Sequence, residues 1–97
     1  MKKLHLVLKH EWYDKIASGE KTSEYREPTE YWSKRLAPYI EYCMFRRPGD
    51  PRPIVVFHRG YTNKTMEFNI LSVFRTTKQN DLNIREAWEI RLDGRVE

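Results

Sequence analysis

The chain has 97 residues, enough for one small hydrophobic core and too few for two. Hydrophobic residues make up 39% of it and charged residues 33%, a balance that excludes a membrane-embedded chain and is typical of a folded domain. Lys and Arg number 18 against 14 Asp and Glu, a mild excess spread over both halves. We therefore expect a single domain over residues 1–97, with some preference for anionic partners.

The single cysteine and the N-terminal segment bear on the compartment. Cys43 has no second cysteine with which to form an intrachain disulfide. The apolar run 4–8 is interrupted by His5 and is too short for a signal peptide, and no segment is long enough to cross a bilayer. We expect a cytoplasmic monomer without membrane contact.

In the first 18 residues, the spacing of the apolar residues changes from two to four. Leu4, Leu6 and Leu8 recur every second residue, which predicts a strand over residues 4–9. Apolar residues four apart then predict a helix over 11–18, and Gly19 is a typical helix stop.

The next segment mixes strand and helix signals. Thr and Tyr favour a strand over 22–26, after which Thr29 is a suitable N-cap for a helix through Leu36. Pro38 is expected to end that helix. The apolar and aromatic residues of 39–45 then predict a strand.

The second half reads as strands joined by loops. The predicted elements are a loop over 46–53, a buried strand over 54–58, a turn over 61–64, an antiparallel strand over 66–74, a loop over 76–83, a last strand over 88–92, and a hairpin turn at Asp93-Gly94. Five or six short strands with two short helices inserted near the N-terminus do not fit repeating βαβ units. We predict a mixed α/β, mainly β fold: a small, mostly antiparallel barrel.

Reactive side chains are densest in residues 19–26. In a strand, alternate residues share a face, so Glu24 and Arg26 are expected side by side, with Lys21 near the glycine turn. In a partly dry cleft, Glu24 could accept a proton while Lys21 and Arg26 stabilise an oxyanion or hold a phosphate. The alternative is a solvated ion pair worth about 0–1 kcal/mol.

This octet also resembles a known family. Gly19, Lys21, Glu24 and Arg26 match the G-x-K-x-x-E-x-R signature of the ASCH domain. Further segments that resemble small bacterial and phage members are 12–16, 31–36, 57–61 and 88–94. The resemblance implies a PUA-like β-barrel with a cleft beside the motif strand, and RNA or nucleotide ligands.

The same resemblance bears on catalysis. Some small ASCH proteins hydrolyse the acyl group from the exocyclic amine of modified cytidine, using a Lys and a Thr of the motif and a Glu elsewhere, and others are linked to RNA cleavage. Lys21 matches the lysine of that pattern, whereas Glu24 stands where those hydrolases have their threonine. Glu67, on a later strand, is a candidate for the acidic partner.

Aromatic and basic residues extend the candidate site. Trp32 and Tyr61 are candidate stacking partners for a base, and core packing is the alternative for each. A basic rim on the RNA backbone is predicted from Arg46, Arg47, Arg52 and Arg59. The alternative for this rim is an ordinary solvated surface.

Other chemistries lack a matching pattern. His5, His10, His58 and Cys43 have no metal-ligand spacing, so we predict no metal, and Cys43 is interpreted as a small buried hydrophobe rather than the nucleophile of a pair with His58. No phosphate-binding glycine loop is present, so we predict no cofactor.

Three hypotheses follow. The first is a domain that binds RNA or a modified nucleoside through Gly19, Lys21, Glu24 and Arg26. The second is a hydrolase of a nucleobase amide or an RNA phosphodiester, in which Glu24 activates water and Lys21 stabilises developing negative charge. The third is an interaction module whose cleft receives a peptide or a metabolite carboxylate.

Overall fold

Helices and strands succeed one another where the spacing of the apolar residues changes along the chain. A computed structural model describes residues 2–96. It contains β1 (Leu4–Leu8), α1 (His10–Ala17), β2 (Ser23–Arg26), α2 (Glu30–Met44), β3 (Ile54–Arg59), β4 (Thr65–Thr76) and β5 (Ala87–Val96). Five strands and two early helices confirm the prediction of a mixed, mainly β fold.

All five strands form one sheet, in the order β1-β3-β4-β5-β2. β1 and β3 run parallel, and the other pairs, including the predicted β3–β4 pair, are antiparallel. β1 and β2 are therefore the two edges. The sheet curls as a half-barrel, and Arg26 on β2 donates from Nη2 to the carbonyl oxygen of Val7 on β1 at 3.3 Å.

The core lies between the sheet and the two helices. Leu4, Leu6 and Leu8 are all buried, as their alternation predicts. They join buried residues of α1 and α2 in one hydrophobic cluster with the inner face of β3, β4 and β5. Among residues 2–96, no helix combines the length and apolarity that a membrane span requires.

The predicted strand over 39–45 is wrong, because α2 continues through this segment to Met44. Leu36, Tyr39, Ile40 and Cys43 recur at helical spacing and pack on the core, and this burial outweighs the proline. Pro38 lies on the exposed side, where its missing N–H removes one helix hydrogen bond whose carbonyl acceptor belongs to Lys34, also exposed.

The predicted hairpin turn at Asp93-Gly94 is also wrong, since both residues lie within β5. In the β4–β5 register, Phe68 pairs with Arg95 and Ile70 with Leu92, so that a single residue of β4 faces two of β5. This is a β-bulge, and Gly94 supplies its positive φ of 77°. Asp93-Gly94 therefore forms a bulge within β5 and does not end the strand.

Candidate functional site

The motif strand brings an acid and a guanidinium together. Glu24 and Arg26 lie on one face of β2, and Arg26 Nη2 is 2.8 Å from Glu24 Oε2. Glu24 is only 7% exposed, although it lies on an edge strand. The structure thus places the pair in a largely dehydrated position, where an ion pair requires good geometry to persist.

Lys21 contacts the other oxygen of the same carboxylate. Its Nζ lies 3.2 Å from Glu24 Oε1, and only 8% of its side chain is exposed. Gly19, with a φ of 85°, turns the chain after α1, and the backbone N–H of Lys21 then donates to the carbonyl oxygen of Lys15 at 3.1 Å. This turn directs Lys21 toward the motif strand.

Asp81 is a second ion-pair partner of Lys21 and was not predicted from the sequence. It lies in the loop between β4 and β5, which the sequence identifies only as polar. A buried lysine is stable when carboxylates compensate its charge, and Lys21 has two of them. No local pattern indicates which residue of the loop would reach Lys21.

Aromatic rings surround these charges. The guanidinium of Arg26 lies 4.8 Å from the centroid of Trp32, and Lys21 Nζ lies 4.9 Å from that of Tyr25 and 5.6 Å from that of Trp12. Trp32 stands in the first turn of α2, where its backbone N–H donates to the N-cap hydroxyl of Thr29 at 3.3 Å. The predicted cap therefore also fixes a ring beside the motif.

These groups border a cleft of about 380 Å³ between the two edge strands. We call it the Glu24 cleft; its lining is Val7, Leu8, Lys9, Glu11, Trp12, Glu24, Tyr25, Arg26, Glu27, Trp32, Asp81 and Leu82. Four carboxylates and two cations belong to this lining, so the cleft is acidic although the chain as a whole is basic.

Tyr61 is not part of the Glu24 cleft. It lies in the turn between β3 and β4 and is 97% exposed. Of the two predicted stacking residues, the structure brings only Trp32 to the motif, together with Trp12, which was not predicted as a ligand contact.

The four predicted rim arginines are dispersed. Arg46, Arg47 and Arg52 precede β3 whereas Arg59 ends it, so they are separated by a strand of roughly 16 Å. Arg52 is paired with Asp93, and Arg59 with Asp14 through two hydrogen bonds of 3.0 Å. The structure does not unite them in one basic surface beside the cleft.

The Asp14–Arg59 pair ties α1 to the end of β3. The hydrogen bond from Arg59 holds the pKa of Asp14 below its ordinary value of 3.8. This arginine is thereby engaged in a structural contact rather than left free for an RNA phosphate.

The histidines, the cysteine and Glu67 lie apart from the cleft. His5 Nδ1 and His58 Nε2 are 2.9 Å apart, so His58 is paired with a histidine. Burial raises the pKa of the Cys43 thiol, whose nearest hydrogen-bond acceptor is a backbone carbonyl. Glu67 pairs with Lys3 at 2.9 Å. Within residues 2–96, no three His, Cys, Asp or Glu side chains are grouped to hold a metal ion.

Sequence reasoning missed a second buried acid, which lies next to the motif strand but outside the lining of the Glu24 cleft. Glu89, on β5, is 2% exposed, and its Oε2 accepts a hydrogen bond of 2.8 Å from the hydroxyl of Ser23. Glu89 pairs across the strands with Tyr25, whose pKa is raised by burial first and then by the charges of Glu89 and Asp81. The sequence did offer one sign of this residue: Glu89 is a charged residue between two hydrophobic ones, Trp88 and Ile90, in a predicted strand.

No protein-family model, curated protein or solved structure matches this chain.

Proposed function

We propose that the Glu24 cleft binds a nucleobase, presented by a modified nucleoside or by an unpaired residue of RNA. The observation that carries this proposal is the buried carboxylate of Glu24, held between Lys21 and Arg26 beside two tryptophans. The octet's resemblance to the ASCH signature supports the same ligand class, within a PUA-like barrel.

The Glu24 carboxylate is suited to reading the edge of a base. Oε2 accepts a hydrogen bond from Arg26 and Oε1 forms an ion pair with Lys21, which fixes the orientation of the carboxylate and leaves lone pairs on both oxygens. Those lone pairs can accept from an exocyclic amine and a ring N–H. Arg26 Nε is buried and has no hydrogen-bond acceptor among residues 2–96, so its N–H is an unsatisfied donor that a base carbonyl or ring nitrogen would satisfy if the side chain shifts toward the cleft.

Aromatic and guanidinium planes supply the stacking surfaces. Trp12 and Trp32 both line the Glu24 cleft, and Arg26 lies over the ring of Trp32. Bases stack on both kinds of plane, and one such contact is worth about 1–3 kcal/mol. A cleft of about 380 Å³ falls within the usual range for small-molecule sites.

The charge of the cleft favours the base over the phosphate. Carboxylates outnumber cations in its lining, even when Lys21 is added, so a phosphate there would be repelled. We therefore expect binding of a neutral nucleoside to depend little on salt, unlike binding that relies on RNA phosphates.

The test is incubation of the protein with a panel of modified nucleosides and short RNAs, with mass spectrometry for retained ligand. For a retained nucleoside, Trp32→Ala should weaken binding by about 5- to 150-fold, and Trp32→Phe should restore most of it. Tyr61→Ala is the matched aromatic control and should leave affinity unchanged. If the panel yields neither retention nor conversion, the proposal fails and the peptide or metabolite hypothesis replaces it.

A second candidate function is hydrolysis of a nucleobase amide or an RNA phosphodiester in the same cleft. The 3.2 Å contact between Lys21 Nζ and Glu24 Oε1 favours it. In this reaction Glu24 activates water and Lys21 stabilises the oxyanion. Glu24→Gln separates the two functions. If the cleft only binds, the substitution weakens base selectivity and no product forms with either protein. If it also catalyses, turnover is abolished while affinity stays within a few-fold.

A further inference from the structure

A second cavity, of about 550 Å³, adjoins the Glu24 cleft and shares Trp12, Tyr25 and Asp81 with it. We call it the Glu89 cavity. Its charged lining residues are Lys15, Glu20, Lys21, Lys78, Asp81, Glu89 and Arg91. The four cations exceed the three carboxylates, so this cavity is basic where the neighbouring cleft is acidic.

Glu89 has one oxygen satisfied and one unsatisfied. Oε2 accepts from the Ser23 hydroxyl, whereas Oε1 is buried and receives no hydrogen bond from residues 2–96. An unpaired buried carboxylate oxygen costs free energy that a bound donor would recover. A ligand with a hydrogen-bond donor would therefore satisfy Glu89 Oε1.

Two cations of the cavity are left for an anion. Lys21 is paired with Asp81 and Glu24, and Lys15 Nζ lies over the ring of Trp12 at 4.9 Å and 3.7 Å from Glu20 Oε2. In the described part of the chain, Lys78 and Arg91 have no carboxylate partner except Glu89, at 3.7 Å. At that distance they are close to Glu89 without hydrogen bonding to it, and both side chains are partly exposed.

A ligand that satisfies both conditions is an anion that carries its own donor. We propose that the Glu89 cavity binds a protonated phosphate group, either as inorganic phosphate or as the monoanion of a phosphate monoester, whose second pKa is about 6. The P–OH donates to Glu89 Oε1, and the anionic oxygens contact Lys78 and Arg91. Arginine suits tetrahedral oxyanions because its planar group donates through two N–H bonds at once.

Sulfate is the discriminating probe, because at neutral pH it has the same shape and no proton. Calorimetric titration of the protein with each anion at matched ionic strength should show phosphate binding about tenfold or more tightly than sulfate. Equal affinities, or no phosphate binding, would overturn the proposal.

Two variants assign the contacts. In Glu89→Gln the amide can donate as well as accept, so the preference for phosphate over sulfate should disappear. Lys78→Gln should weaken both anions alike. Lys34→Gln removes the same charge from an exposed site on α2 and should change neither affinity. If Lys34→Gln weakens phosphate as much as Lys78→Gln does, the binding is only a response to net charge and the assignment is wrong.

The source of the phosphate is resolved by comparing inorganic phosphate, a nucleoside 5′-monophosphate and the corresponding nucleoside at about pH 6, where the monoester still carries a P–OH on a large fraction of its molecules. A monophosphate that binds more tightly than both others identifies a phosphate monoester that spans the two sites. A monophosphate no tighter than inorganic phosphate identifies the free anion. The proposal does not depend on the function of the Glu24 cleft: failure of the nucleoside to bind would refute that function and leave the phosphate result intact.

Discussion

Arg26, on one edge strand of the sheet, donates from Nη2 to the backbone carbonyl of Val7 on the other edge strand, at 3.3 Å. The same nitrogen contacts Glu24 Oε2 at 2.8 Å. One guanidinium therefore both links the edges of the half-barrel and compensates the buried acid of the cleft.

Arg26→Ala should destabilise the protein by about 3 kcal/mol, because it removes the link between the edges and leaves Glu24 with Lys21 as its single cationic contact in the described chain. Urea unfolding measures the loss. Lys34→Ala, which breaks the exposed pair with Glu30, is the control and should cost less than about 0.5 kcal/mol. Similar losses for the two variants would contradict this role of Arg26.

Thr29→Ala should cost about 1 kcal/mol, because the Thr29 hydroxyl accepts from the backbone N–H of Trp32 and caps α2. Thr29→Ser retains that acceptor and should remain close to the native stability. Thermal unfolding of the three proteins provides the comparison, and an equal loss in both variants would show that the methyl group matters rather than the cap.

Pro38→Ala should raise the free energy of unfolding by about 1–2 kcal/mol, since alanine restores a donor within α2 and proline is unfavourable in a helix interior. The greater entropy of the unfolded chain offsets part of this gain. Pro48→Ala, in the loop before β3, restores no helix hydrogen bond and should be neutral or slightly destabilising. A loss of stability in Pro38→Ala would mean that α2 requires its proline.

The Asp14–Arg59 contact should weaken in acid. Because the folded pKa of Asp14 lies below 3.8, its contribution is fully present above the unfolded pKa and is lost as the pH falls through the folded pKa. The difference in urea midpoint between the native protein and Asp14→Asn should therefore be present at neutral pH and shrink as the pH falls below 3.8. A difference that stays constant over this range would show that the aspartate's charge does not act through Arg59.

Local patterns were sufficient to locate the five strands of the sheet, although they also predicted a strand over 39–45 that does not form, and to predict the face that Glu24 shares with Arg26. Alternation in residues 4–8 and the turn at Gly19 depend only on neighbouring residues, so both can be predicted from the sequence. Pro38 and Asp93-Gly94 misled the prediction because each has a strong local preference that its tertiary surroundings override: core burial of α2 in the first case, and pairing with β4 in the second.

The sequence by itself determined the class of fold, the identity of the acid and the two cations of the motif, and their order along the chain. Only the tertiary structure decided that Lys21 would meet Asp81, that Ser23 would meet Glu89, and that Arg26 would reach the opposite edge of the sheet. These contacts join residues 60, 66 and 19 positions apart. A side-chain pattern repeats over a few residues, whereas such distant partners are chosen by the curl of the sheet and the path of the loop between β4 and β5.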